Sequence, residues 1–132
     1  MKTIQQLIDT YLHYLHANFD IEKVEKNIYK IVTPFLDRRN DNIILYAILK
    51  NEGKITLTDD SYTLDDLQLS GINFTKKREE ELNKILLSYG IFRKNNELFI
   101  TTDHNSFAQK KHNFIQALIS INDMYLLSNE KI

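Results

Sequence analysis

Asp37, Asp41, Asp59 and Asp60 are the residues whose type and placement could do chemistry. Asp37 and Asp41 flank Arg38 and Arg39 in a polar turn, Leu36-Asp37-Arg38-Arg39-Asn40-Asp41. Asp59 and Asp60 follow the alternating stretch Lys54-Ile55-Thr56-Leu57-Thr58. Carboxylates gathered at strand ends are hard oxygen ligands of the kind Mg²⁺ takes, one or two at a time, together with water and phosphate. Beside cations they could serve phosphodiester cleavage, with Mg²⁺ as the cofactor and the four aspartates as catalytic and metal-binding groups. The competing reading is structural and needs no cofactor. Aspartates in such turns accept from their own backbone amides, and Asp–Arg pairs satisfy one another. Pro34, Asp37 and Glu52-Gly53-Lys54 echo a Pro-Asp…Glu-x-Lys nuclease pattern. The echo is poor, because the triplet belongs to a turn at the opposite end of the predicted sheet.

A second set of residues could meet a nucleic acid or a partner. Lys76, Lys77 and Arg78 open one predicted helix, and Lys110 and Lys111 lie early in another. Cations at a helix start oppose the macrodipole, so helix stability does not call for them, and they are suited to phosphates. Glu79, Glu80 and Glu81 follow at once, which is the pattern of a wet face. Arg38 and Arg39 of the acidic turn belong to the same set, as does Tyr62, the aromatic residue beside Asp59-Asp60 that is expected at the surface. His13 and His16 stand three apart on a helix without further metal ligands, and His104 and His112 read as surface polarity. Gly53, Gly71 and Gly90 are isolated, so there is no phosphate-cradling loop.

The elements that must position these residues follow from periodicity and caps. Thr3-Ile4-Gln5-Gln6 reads as a capping box, and apolar residues at helical spacing predict a helix over 4–18. Residues 27–33 read as a strand that Pro34 ends or leaves at an edge. Residues 42–50 are almost continuously apolar, which predicts a central strand buried on both faces. Residues 54–58 alternate, giving a third strand with one wet face. Short connections favour an antiparallel meander of the three. In a meander the first turn and the end of the third strand share one edge, so the four aspartates should converge there. Thr63 with Asp66 reads as a capping box for a short helix ending before Gly71. Thr75 and Gly90 bracket another, with Leu82, Ile85, Leu86 and Tyr89 as its apolar stripe. Asn95-Asn96 suits a hairpin turn. Ser106 with Gln109 reads as a third capping box, opening a helix over 107–127 that packs across the sheet and against the first helix.

The expected fold is therefore α+β: a three-stranded antiparallel meander, a C-terminal hairpin and about four helices, in one domain over 1–132. Composition agrees, with 42% hydrophobic and 27% charged residues. The 17 basic and 18 acidic residues give a net charge of -1. That balance argues against a dedicated nucleic-acid binder and against an acidic DNA mimic. Cysteine is absent, which removes disulfides and thiolate chemistry and suits a reducing, cytoplasmic setting. No signal peptide or membrane-spanning run is expected.

Several stretches together resemble one family. They are Thr33-Pro34-Phe35-Leu36-Asp37-Arg38, Asn40-Asp41, Leu57-Thr58-Asp59-Asp60-Ser61-Tyr62-Thr63, Leu67 through Gly71, Lys77-Arg78-Glu79 and Phe107 through Asn113. They resemble the domain-of-unknown-function family 1828 of bacterial and phage proteins. The resemblance implies a mobile-element setting, often near restriction and defence genes, and no established reaction or cofactor. Larger relatives carry a second domain after this one. The family pattern has glycine where Ser61 stands, so a positive φ there would strain this chain.

Size, the lack of a complete catalytic constellation and this setting lead to the expectation of a non-catalytic interaction protein. Its expected partner is a host protein or protein–nucleic acid complex, such as a defence complex that it inhibits. The alternatives are a metal-dependent nuclease using the aspartates, and a modest nucleic-acid binder using the five helix cations above.

Overall fold

The computed structural model describes residues 1–124. In chain order the elements are α1 (Ile4–Ala17), β1 (Asp20–Glu25), β2 (Ile28–Leu36), β3 (Asn42–Leu49), β4 (Ile55–Thr58), α2 (Tyr62–Leu69), α3 (Lys76–Tyr89), β5 (Phe92–Lys94), β6 (Glu97–Thr102) and α4 (Phe107–Asn122). The fold is α+β, with four helices and one six-stranded sheet in the order β1-β2-β3-β4-β6-β5 among the described residues. Every neighbouring pair is antiparallel. The expected meander is β2-β3-β4. The expected hairpin is β5-β6, and it joins the same sheet because β6 pairs with β4.

β1 was not expected. Asp20-Ile21-Glu22-Lys23-Val24-Glu25 holds two apolar residues at a spacing of three, so it lacks strand alternation. It forms because it pairs with β2 through a turn in which Asn27 takes φ 66°. Its charges suit an edge strand, where they discourage pairing with another chain.

Pro34 lies inside β2 rather than ending it, and two features accommodate it. β1 pairing stops at Val32. On the other side the register slips between Val32 and Leu36, so that Val32 faces Ile44 and Leu36 faces Asn42. Side chains bridge the irregularity: Thr33 Oγ1 donates to the Ile43 carbonyl at 2.8 Å, and Asn42 Nδ2 donates to the Thr33 carbonyl at 2.7 Å.

β3 is central but not buried on both faces. Ile43, Leu45 and Ala47 enter the core, while Ile44, Tyr46 and Ile48 are half-buried on the open side. The long apolar run thus reflects a sheet with one packed and one partly wet face. The core joins β2, β3, β4 and β6 to Leu64, Leu67, Leu82, Leu86, Phe114, Leu118 and Ile121 of the helices.

Helix ends differ from expectation in two places. Thr63 does not cap α2; its N-cap is Ser61, whose hydroxyl accepts nothing, and Thr63 is a buried residue of the helix. Ser106 makes no side-chain cap on α4. Asp103 supplies it instead, accepting from the Ser106 amide at 2.9 Å, and Gln109 turns its amide to Asn113. Thr75 and Gly90 do bracket α3, the glycine at φ 69°. α4 packs on α3, α2 and β6. It was expected to meet α1, yet no residue of α1 is buried. Tyr125, Leu126 and Leu127, expected on the last helix, lie outside the described residues.

Candidate functional site

The aspartates do converge. A cleft of about 470 Å³ at the β2–β3 turn and the start of α2 is lined by Asp37, Asp41, Asp59 and Asp60, and also by Asp65 and Asp66. Tyr46, Tyr62, Leu69 and Asn122 complete much of its wall. The meander brings the two strand ends together, and α2 then folds its first turn over the same edge.

Each carboxylate has a different occupation. Asp37 is buried and closes the β2–β3 turn: its Oδ1 accepts from the amides of Arg39 (2.8 Å) and Asp41 (3.0 Å). Asn40, at φ 63°, permits that tight return. Asp59 is 2% exposed. Its Oδ1 accepts from the amides of Ser61 and Leu98, and its Oδ2 from that of Thr63, at 3.0–3.1 Å. One side chain therefore caps α2 and ties β4 to β6. Burial pushes the Asp59 carboxyl above its ordinary value of 3.8, against the pull of those amides. Asp66 pairs with Arg38 at 2.8 Å and Arg39 at 3.1 Å. Asp65 accepts from Asn96 Nδ2 at 2.7 Å, linking α2 to the β5–β6 turn. Asp41 and Asp60 are exposed.

The two arginines expected to reach a partner are thus turned inward or sideways. Arg38 is mostly buried and donates to the Asp66 carbonyl and carboxylate and to Ser70. Arg39 is half-exposed and reaches Asp66 and Ser70. Tyr62 stands at the rim, exposed as expected. Burial and then the charges of Asp66, Asp37 and Asp41 raise its phenol. The cleft is therefore anionic, with an aromatic and an aliphatic rim.

The carboxylates share a cleft without forming a metal-binding group. Among the described residues, no group of three or more His, Asp or Glu is placed to hold a metal. Asp37 and Asp59, half of the expected metal set, spend oxygens on backbone amides. That arrangement favours the structural reading of those two residues.

The five cations expected to meet phosphates take separate tasks. Arg78 is buried and donates to the Asn73 carbonyl at 2.8 Å. Lys111 Nζ sits 4.0 Å from the ring centre of Phe19, and burial lowers its pKa. Lys76, Lys77 and Lys110 are exposed. The histidines His13, His16, His104 and His112 are all exposed, on α1, before α4 and on α4.

Asp65, Asp66, Leu69 and Asn122 were not expected in the site. The available signal was spacing: Asp66 falls one helical turn after Tyr62, on the same side. It was hidden by reading Asp66 as a capping partner of Thr63. Ser61 does take the positive φ that the family's glycine implies, at 68°, directly after Asp60 at 56°.

Residues 33–121 match the family described as domain of unknown function DUF1828, and the chain belongs to that family. The match covers the cleft except for Asn122, and leaves out α1, β1 and the start of β2. No curated protein and no solved structure matches the chain. Among the described residues no helix is long and apolar enough to cross a membrane.

Proposed function

We propose that the protein is a non-catalytic interaction protein that offers the anionic cleft to a basic surface of a protein partner. The observation that carries this reading is the gathering of six aspartates in one cleft rimmed by exposed Tyr62 and Leu69. Its nearby cations, Arg38 and Arg39, are already paired with Asp66. A lysine or arginine entering from a partner would meet the exposed carboxylates of Asp41 and Asp60 and the ring face of Tyr62. Host complexes acting on nucleic acid present such basic surfaces, and the mobile-element setting of the resemblance points to that class of partner, including defence complexes.

Capture from host lysate tests the reading. Wild-type protein should retain a basic partner, and Asp41→Lys with Asp60→Lys should release it while the far-UV spectrum stays unchanged. Equal capture by both proteins would overturn it. The runner-up, metal-assisted cleavage through Asp37, Asp41, Asp59 and Asp60, predicts cutting of DNA or RNA in millimolar Mg²⁺ and a metal-dependent rise in melting temperature. Binding of nucleic acid through Lys76, Lys77 and Lys110 predicts affinity that falls steeply with salt.

A further inference from the structure

Among the described residues, nothing covers the apolar stripe of the first helix. Ile4, Leu7, Ile8, Tyr11, Leu12 and Leu15 follow helical spacing along one side of α1. Five of these and the adjacent Tyr14 are between 47% and 75% exposed. Propensity alone leaves a helix of this length marginal in water, so a covered stripe is what the sequence implies.

The described part of the domain is not placed to cover it. Asn18 terminates α1, its amide bonded to the Tyr14 and Leu15 carbonyls and its side chain to Tyr14 again. Phe19 is then held beneath Lys111, and Asp20 already pairs with Val32. Two residues between a capped helix and a paired strand leave no slack for the helix to fold back. The polar side of α1 is Gln5, Gln6, Asp9, Thr10, His13 and His16, with no lysine or arginine from Ile4 to Ala17. An interfacial membrane helix carries cations there, so a lipid surface is the poorer occupant.

The stripe fits itself. Its six positions are symmetric about the middle of the helix. In an antiparallel pair Ile4 falls opposite Leu15, Leu7 opposite Leu12 and Ile8 opposite Tyr11, so each apolar residue meets an apolar one. Lys2, just before the helix, comes beside the partner's last carbonyls, where the macrodipole favours a cation. At about 100 Å² for each half-exposed large side chain, a copy contributes roughly 600 Å². A pair then buries about 1,200 Å², the lower bound of specific, stable interfaces. We infer that α1 is a homodimerisation helix, pairing antiparallel with α1 of a second copy across a two-fold axis. The edge strand β1 takes no part: four of its six residues, Asp20, Glu22, Lys23 and Glu25, are charged, which discourages edge-to-edge pairing. The inference is independent of the cleft's partner.

Sedimentation equilibrium of the full chain tests this. The wild type should be dimeric at tens of micromolar, and Ile8→Lys should be monomeric with its β-sheet signal intact. His13→Lys, on the polar side, should remain dimeric. Because the chain has no cysteine, a thiol crosslinker of about helix-packing reach gives the geometry: Leu7→Cys mixed with Leu12→Cys should crosslink more than tenfold faster than either alone. A monomeric wild type would overturn the inference, as would a dimer that survives Ile8→Lys, or crosslinking of Leu7→Cys to itself in preference to the mixed pair. Retention of the wild type on anionic vesicles as a monomer would overturn it in favour of a lipid surface.

Discussion

The cleft and the amino-terminal arm differ in how the chain spends its polar and apolar groups. In the cleft, the buried carboxylates of Asp37 and Asp59 accept from backbone amides, and the exposed ones of Asp41 and Asp60 are left to face outward. In α1 the backbone is fully capped, with both halves of the Thr3–Gln6 box formed, yet no side chain is buried. The lesson is that good local helix signals establish an element without establishing where it docks. Thr3 and Gln6 stabilise α1 whatever covers it, whereas Asp59 does its work only when β4, α2 and β6 are already assembled.

The sharpest way to break that contrast is at Asp59. Asp59→Ala leaves three amides, those of Ser61, Thr63 and Leu98, without an acceptor. Hydrogen bonds to a charged group contribute more than neutral ones, so the loss should be about 3 kcal/mol in urea unfolding. Asp59→Asn keeps one acceptor oxygen and should lose less. The two side chains also part company with pH. The folded-state pKa of Asp59 is raised by burial above 3.8. The stability it contributes through that shift is fully present below 3.8 and is lost as pH rises through the raised value. The gap between wild type and Asp59→Asn should therefore move in favour of the asparagine variant as pH climbs through that window. A pH-independent gap would show that burial does not dominate at this carboxyl.

Asp66→Ala comes next. It strands the mostly buried Arg38 and frees Arg39. The expected cost is about 2 kcal/mol, below that of a wholly dry pair because Ser70 and the Asp66 carbonyl still accept from Arg38.

Much of this was legible in the residues and some was not, for physical reasons. The meander and the convergence of Asp37, Asp41, Asp59 and Asp60 follow from short connections and local alternation, which chain neighbours alone dictate. β1 was illegible because an edge strand needs only one partner and carries charges where a buried strand would carry apolar residues. The open face of β3 was misjudged because Ile44, Tyr46 and Ile48 look the same in sequence whether a second layer covers them or not. The capping of α2 was assigned to Thr63 because a local hydroxyl is the usual cap; the cap comes from Asp59, which directly follows β4. Similarly, Arg38 and Arg39 looked available until Asp66 arrived from a different element.

Ser61→Gly has a smaller effect and the opposite sign. Ser61 holds φ 68°, a region where a Cβ costs about 1–2 kcal/mol and glycine does not pay it. Part of that gain is returned through the greater freedom of glycine in the unfolded chain. The variant should be more stable by about 0.5–1 kcal/mol in urea unfolding. Loss of stability instead would mean that the serine side chain has a task at the cleft rim.

The smallest effect should come from the arm. Ile8→Lys places a charge on a helix that buries nothing in its own domain. Measured at concentrations low enough for a monomer, the unfolding free energy of the sheet should change by less than about 0.5 kcal/mol, the range of ordinary surface substitutions. At concentrations where two copies pair, the same substitution should cost more, because association contributes to stability by mass action. The difference between dilute and concentrated protein is thus the quantity to measure. A large loss in dilute protein would place α1 inside the cooperative unit of its own domain, and would remove the distinction between the arm and the cleft.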